Sequence, residues 1–233
     1  MRVALIHNPG AGTQARGDIE RMLEMVREAG HEVRYQSCLD EHWSQALEEP
    51  CDLVAVAAGD GSVSRVARRM AGRAVPITVL PAGTANNISR TLGLIERPWE
   101  ELVRGWEGAR RVKLDVGLAA GPWGERSFIE GVGAGLFAGT LPDADASRTL
   151  ANLGRRDAKV AYALQMLKDR VDACTVLPIQ ATLDGKDLSG EYLLLEALNI
   201  PSVGPNLFLA PDSAPGDGQL DVIMAGAEER ERL

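Results

Sequence analysis

The chain has 233 residues, of which 45% are hydrophobic and 25% are charged, a composition typical of a folded protein with one large domain or two modest ones. Its net charge of −8 at pH 7 argues against a broad nucleic-acid-binding surface, so no nucleic-acid partner is expected. No apolar run is long enough to span a bilayer, and the first residues predict a strand and not a signal peptide. The scattered cysteines Cys38, Cys51 and Cys174 show no metal-site spacing and predict reduced thiols in a cytoplasmic protein.

Short apolar segments alternate with amphipathic segments through the first half of the chain. The apolar segments predict strands at residues 3–7, 32–36, 53–57 and 77–80. Helical spacing predicts helices at residues 18–29, 41–47 and 63–70, and a further helix near residue 84. This alternation predicts an α/β domain with an open, largely parallel sheet over residues 1–117, in which ligands bind beyond the carboxyl ends of the strands.

The second half has a different pattern. Strands are predicted at residues 114–118, 128–132, 175–183 and 192–199, with one longer helical segment at residues 146–171. Asp184 and Gly185 predict a hairpin turn. We therefore expect a second domain rich in antiparallel strands over residues 118–233, and an exposed edge strand there would allow two copies to pair as a homodimer.

The first of three glycine-containing turns follows the first strand and reads Asn8-Pro9-Gly10-Ala11-Gly12. Its glycines allow the backbone to approach a ligand closely, and the Asn8 side chain is able to bond a base or to cap a turn. A plain turn explains this motif equally well.

The second turn, Ala58-Gly59-Asp60-Gly61-Ser62, joins a strand directly to a helix. Free backbone N–H groups at a helix start attract phosphate. A carboxylate such as that of Asp60 is suited to hold a metal ion or to accept a proton from a hydroxyl group. The alternative is a tight turn in which the aspartate only caps a helix.

The third turn spans residues 81–87 and follows the fourth strand. Gly83 and the amides of Thr84 and Ala85 are placed to line the other wall of a phosphate site, and the Asn86 side chain can both donate and accept hydrogen bonds. Thr84 as a simple helix N-cap is the alternative, and the two interpretations are compatible.

Taken in this order with residues 113–117 and 211–221, the turns resemble the lipid kinase family of diacylglycerol and sphingosine kinases, including its bacterial members. The resemblance spans essentially the whole chain. It implies a Rossmann-like nucleotide-binding domain followed by a β-sandwich-like domain, with the active site in the cleft between them. It also implies an ATP- and Mg²⁺-dependent transfer of phosphate to a lipid hydroxyl, diacylglycerol-like or sphingoid-like, at the membrane surface.

The resemblance also implies which residues form the site. The nucleotide-binding set would be Asn8, Gly12, Gly59, Asp60, Gly61, Ser62, Gly83, Thr84, Asn86 and Asp115. Asp60 is the candidate general base, and Asp60 and Asp115 would lie near the Mg²⁺ ion. In residues 211–221, Asp217 would help to hold a second, structural Mg²⁺ ion.

The chain departs from the family pattern at several positions. Ala58 replaces the first glycine of a triplet, and Asn87 stands where many members have aspartate, which removes one carboxylate from the metal network. Arg65 stands at a usually acidic position, where a cation would either pair with phosphate or disturb nucleotide binding. The basic residue expected near residues 13–14 is missing, and nothing after Asp221 matches the closing Asp-Gly-Glu strand, so a truncated chain is expected.

Two other functions stay open. A NAD kinase shares the Gly-Gly-Asp-Gly pattern, although the Asn-Glu motif expected of that enzyme is not found after Gly83. A non-catalytic nucleotide- or lipid-binding protein of the same fold is suggested by Asn87, by Arg65 and by the missing closing motif.

Overall fold

The computed structural model describes residues 1–11 and 19–232, so Gly12 of the predicted nucleotide-binding set and residues 13–14 lie outside the described part of the chain. Among the described residues, no helix has the length and apolar character needed to cross a membrane. Cys38, Cys51 and Cys174 are free thiols.

The first half forms a parallel sheet with strand order β2-β1-β3-β4. Its strands are β1 (Arg2–His7), β2 (Glu32–Ser37), β3 (Leu53–Ala58) and β4 (Ile77–Pro81). Its helices are α1 (Ile19–Glu28), α2 (Asp60–Met70), α3 (Asn87–Thr91) and α4 (Trp99–Arg104), with 3₁₀ turns at Trp43–Leu47 and Trp106–Gly108. The predicted parallel sheet is confirmed.

Both faces of this sheet are buried at β1 and β3, which explains why these two strands are nearly continuous apolar runs, whereas the edge strand β2 is more polar and only half-buried. Ala4 and Ile6 of β1 pack with side chains of α2, whereas Val3 and Leu5 pack on the opposite face with side chains of α1 and α4. Strand β3 is buried along its whole length. The resulting three layers fix the carboxyl ends of β1, β3 and β4 as one edge, here called the carboxyl edge.

The second half is rich in antiparallel strands, as predicted. An antiparallel sheet has the order β14-β11-β7, with β8 also paired to β11, and the other strands form two-stranded pairs. The strands are β5 (Gly117–Gly121), β6 (Gly124–Phe128), β7 (Gly131–Gly135), β8 (Leu177–Ile179), β9 (Thr182–Leu183), β10 (Lys186–Asp187), β11 (Gly190–Leu198), β12 (Ser202–Val203), β13 (Leu207–Phe208) and β14 (Asp221–Gly226). The helices are α5 (Leu136–Ala146), α6 (Arg148–Asn152) and α7 (Arg156–Ala173), and a 3₁₀ turn covers Ala227–Arg232.

Several predicted boundaries in the second half are wrong. The helical region begins at Leu136 and not at residue 146, because the sequence of α5 contains Gly139 and Pro142, which have poor helix propensity and hide the pattern. Residues 114 and 116 pack into the first core instead of forming a strand, and the strand lies further on, at Gly117–Gly121.

The strand predicted at residues 175–183 is divided into β8 and β9 because its two parts have different partners. Strand β8 pairs with β11, whereas β9 pairs with β10 in a hairpin. The predicted hairpin turn is confirmed, since Asp184 and Gly185 both have positive φ, 49° and 80°, as a type I′ turn requires.

The two halves share apolar contacts. Helices α5 and α7 pack on the second sheet through Leu136, Leu167 and Leu194. Ile129 and Ile200 belong to the second half but are buried in the core of the first sheet. The domain boundary near residue 118 stays a prediction.

The second and third turns touch because β3 and β4 are adjacent parallel strands. The Cα atoms of Gly59 and Gly83 face each other, and a Cβ atom built on Gly59 would lie 2.9 Å from the Cα of Gly83. Real Cβ atoms essentially never approach backbone so closely, so both positions require glycine.

Replacing Gly83 with Ala is expected to reduce the free energy of unfolding by about 1–3 kcal/mol, because the added methyl group would collide with Gly59. Urea unfolding followed by circular dichroism measures the loss. The matched control is Gly61→Ala, since a Cβ atom at Gly61 meets open space. Equal unfolding midpoints for the two variants would contradict the close contact between the turns.

Glu196 makes the stability of the second sheet depend on pH. It lies on β11 opposite Gly133, its side chain is only 4% exposed, and burial raises its pKa from 4.5 to about 7. Between these two pH values the folded state holds a proton that the unfolded state releases, so stability falls as the pH rises through this window.

The variant Glu196→Gln is therefore expected to be more stable than the wild type above pH 7, by about 1–3 kcal/mol, and to lose this advantage below pH 4.5. Melting temperatures measured from pH 4 to pH 8 test this. Glu191→Gln, an exposed position on the same strand, is the control. An advantage of the same size at pH 4 and pH 8 would refute the assignment.

Candidate active site

The three turns meet at the carboxyl edge and are joined by side chains. The Asn8 side chain links the first two turns, because its Nδ2 donates to Ser62 Oγ at 3.0 Å and its Oδ1 accepts from the Gly10 amide at 3.0 Å. Ser62 Oγ also lies 3.7 Å from the buried Cys38 Sγ. With the Gly59–Gly83 contact, these bonds make the three turns one continuous surface.

Asp60 connects two helices. It is the first residue of α2, with Gly59 as the N-cap, and its Oδ1 accepts a hydrogen bond at 3.0 Å from the Ile88 amide in the first turn of α3. Burial raises the pKa of Asp60, and the amides of Ile88, Asn87 and Asn86 lower it without cancelling the effect. Asp60 therefore does cap a helix, but this helix is α3, which follows β4, and not α2, to which Asp60 belongs.

The third turn is held by its own asparagine. Asn86 has a left-handed backbone with φ of 57°, and its side chain accepts from the Gly83 amide at 2.8 Å and donates to the Gly83 carbonyl at 2.9 Å. Helix α3 consequently begins at Asn87 with Asn86 as N-cap, so the alternative that made Thr84 the N-cap is wrong.

An arginine from the second half binds this turn. Arg156, the first residue of α7, donates from Nε to the Thr84 carbonyl at 2.6 Å and from Nη2 to the Ala85 carbonyl at 3.1 Å. Its neighbour Arg155 is exposed and pairs with the exposed Asp157. Sequence reasoning could not find the role of Arg156, because its partners are more than 70 residues away in the chain.

A second acidic residue that the sequence reasoning also missed lies next to the Asp60 region. Glu130 precedes β7, and its Oε2 accepts from Asn87 Nδ2 at 3.3 Å, while the same Nδ2 donates to the Gly204 carbonyl at 3.0 Å. Burial, and then the charge of Asp60, raise the pKa of Glu130 to about 7. No sequence signal marked this residue except its place as a carboxylate between Ile129 and Gly131.

Asp115 and Asp217 lie together, and the backbone of Asp115 is close to the segment that carries Glu130, because Asn199 Nδ2 donates to the carbonyls of both Asp115 and Ile129. Asp115 Oδ2 accepts from the Gly218 amide at 2.6 Å, and Asp217 Oδ1 accepts from the Gln219 amide at 2.9 Å. Within residues 1–11 and 19–232, no three His, Cys, Asp or Glu side chains form a group able to hold a metal. The structure therefore joins Asp115 to the loop of Asp217 and does not join either of them to Asp60 in a three-carboxylate set.

The oxygen atoms near Asp60 nonetheless fit a hard cation. Asn87 is 2% exposed, and its Oδ1 is buried without a hydrogen-bond partner among the described residues. This carbonyl oxygen belongs to the Asn87 side chain, whose Nδ2 donates to Glu130. The backbone amide of Asn87 lowers the pKa of Asp60. Mg²⁺ in phosphate-transferring sites takes one or two carboxylates and completes its shell with water and substrate phosphates.

Arg65 does not point to an anion in this structure. Its guanidinium carbon lies 5.0 Å from the ring centroid of Trp43, within the range of a cation–π interaction. The stack on Trp43 accounts for a cation at a position that is usually acidic in the family.

Comparisons with known proteins agree with this architecture. The family model described as the diacylglycerol kinase catalytic domain matches residues 2–119. A diacylglycerol kinase of Mycobacterium tuberculosis is 27% identical over 249 residues, covering 100% of this chain and 75% of that protein. A diacylglycerol kinase of Bacillus subtilis is 27% identical over 235 residues, covering 96% of this chain and 73% of that protein.

The fold is also found in a solved structure. A diacylglycerol kinase from Bacillus anthracis superposes with a TM-score of 0.72 at 23% identity, covering 99% of this chain and 75% of that chain. The family model matches the half that holds the parallel sheet and the three turns, and the structural likeness extends through the second half. The chain therefore belongs to the family defined by the diacylglycerol kinase catalytic domain.

Proposed function

We propose that this chain is a lipid kinase that uses ATP and Mg²⁺ to phosphorylate a lipid hydroxyl, diacylglycerol-like or sphingoid-like. The observation that carries the proposal is the continuous surface formed by the three turns, with the Asp60 carboxylate at its centre. The curated relatives named diacylglycerol kinase support this class of acceptor.

The nucleotide phosphates are proposed to lie against Gly59, Gly61 and Ser62. Gly61 is exposed, and the space next to it is open. Helix α2 begins there and runs for 11 residues, so its first amides and its dipole favour an anion. Asn8, Gly12, Gly83 and Thr84 are proposed to flank the nucleotide, while the Asn86 side chain, already bonded to Gly83, would shape the turn.

The transfer itself requires positioning and neutralisation of charge more than covalent help from the protein. When bound, Mg²⁺ would supply positive charge next to the phosphates, and Asp60 is proposed to help hold it. Asp60 is also proposed to accept the proton of the lipid hydroxyl. The hydroxyl oxygen bonds to the γ-phosphorus at the same time, and ADP leaves.

Asp115 is proposed to support the nucleotide and its Mg²⁺ ion, whereas Asp217 is proposed to act at a separate, structural site. Asp115 fixes the loop at Gly218, and Asp217 is proposed to bind a structural Mg²⁺ with carbonyls of that loop. Contact with the membrane surface is supported by the exposed side chains of Leu118 and Trp123 on the β5–β6 hairpin. A cytoplasmic location and a homodimer stay predictions.

The proposal is tested by incubating the protein with γ-labelled ATP, Mg²⁺ and mixed micelles of diacylglycerol or sphingosine. We expect label in one lipid and none in NAD, and Asp60→Asn should reduce the turnover at least 100-fold. Because Asp60 also holds α3, the unfolding midpoint of each variant is measured in parallel.

Asp187→Asn, an exposed aspartate in the β10 hairpin, is the control and should keep full turnover. Undiminished turnover of Asp60→Asn would remove Asp60 from the reaction. ATP binding without any labelled product would identify a non-catalytic binding protein, and labelled NADP would identify a NAD kinase.

Gly61→Ala separates phosphate binding from folding. Its methyl group enters open space, so the fold should be unaffected, but it would occupy the space proposed for a phosphate. We expect the dissociation constant for ATP to rise about 10-fold or more in a fluorescence titration. The unfolding midpoint should be at or above that of the wild type, because Gly61 lies in α2 and alanine favours a helix more than glycine does. Wild-type affinity would show that the phosphates bind elsewhere.

A further inference from the structure

The side chain at position 87 contacts an acid that the three turns do not contain. Asn87 is the first residue of α3, and its Nδ2 lies 3.3 Å from Glu130 Oε2. A carboxylate from a segment 43 residues later in the chain therefore lies one hydrogen bond from the start of α3.

The segment that carries Glu130 is held firmly. Asn199 donates from its backbone amide to the Glu130 carbonyl at 2.8 Å and from Nδ2 to the Ile129 carbonyl at 2.8 Å. Ile129 is 1% exposed in the core of the first sheet, and this anchors the backbone next to the carboxylate. The Glu130 backbone is thus fixed beside α3 by its hydrogen bond with Asn199 and by the burial of Ile129.

Among residues 1–11 and 19–232, no salt bridge joins a cation to Asp60 or to Glu130. The Asn87 side chain donates to Glu130, and the amide of the next residue, Ile88, donates to Asp60, so both carboxyl groups lie beside the first turn of α3. The Asn87 side chain is 2% exposed, and its Oδ1 has no hydrogen-bond partner among the described residues. A buried carbonyl oxygen without a donor costs free energy, as do two unneutralised carboxylates. A divalent cation would satisfy all three groups.

We propose that Glu130, with Asn87 Oδ1 and the Asp60 carboxylate, binds the divalent cation that accompanies the nucleotide. This rests on the proposed function for the nucleotide and extends the site to a residue of the second half. Asn87 then has two functions, since Nδ2 orients Glu130 while Oδ1 faces the cation.

The test measures Mn²⁺ binding to the full chain by electron paramagnetic resonance, with a non-hydrolysable ATP analogue present. Glu130→Gln, which keeps the shape of the side chain, should weaken Mn²⁺ binding about 10- to 100-fold. Its affinity for the analogue without metal should be unchanged or higher, because a negative charge has been removed. The control Glu196→Gln removes another buried carboxyl, which lies against Gly133, and should bind Mn²⁺ as the wild type does.

A carboxylate exchange makes the test specific. The double variant Asn87→Asp with Glu130→Gln moves the acid to position 87 and should recover at least part of the lost Mn²⁺ affinity. Wild-type Mn²⁺ affinity in Glu130→Gln, or no recovery in the folded double variant, would overturn the proposal. The lipid assay is separate: Mn²⁺ binding that depends on Glu130 without lipid phosphorylation would refute the kinase and retain the cation site.

Discussion

The hydrogen bond from the Ile88 amide to the Asp60 carboxylate is the interaction on which the rest of the site depends. It places a carboxylate from the start of α2 at the start of α3, where burial raises the pKa of Asp60 by more than the amides of Ile88, Asn87 and Asn86 lower it. The same bond fixes the direction in which Asn87 leaves the third turn. Asn87 is then able to contact Glu130 and Gly204, which belong to the other half of the chain.

The constraint works only because glycine occupies both turns that flank it. Strands β3 and β4 are neighbours in a parallel sheet, so the turns that follow them arrive at the same place. Any side chain at Gly59 or Gly83 would separate the turns and move α3 away from Asp60. The two glycines therefore determine whether the Asp60 carboxylate and the Ile88 amide of α3 can meet at this edge of the sheet.

The second half also supplies groups that hold the carboxyl edge of the first sheet. Arg156 binds two carbonyls of the third turn, Asn199 positions Ile129 and Glu130, and Ile200 is buried in the core of the first sheet. The surface that the three turns of the first half form is thus completed by groups from the second half. A lipid bound to the second half would in this way be brought to phosphates bound by the first, as the proposed reaction requires.

The sequence by itself determined the parallel sheet, the three turns at its carboxyl edge and the family, because apolar periodicity and glycine spacing are local signals. It also predicted the hairpin at Asp184 and Gly185, for the same reason. Only the tertiary structure decided where the charges meet. Glu130, Arg156 and the pairing of Asp115 with Gly218 depend on contacts between segments 43 to 103 residues apart, and no local pattern records which distant groups will share a desolvated, hydrogen-bonded position.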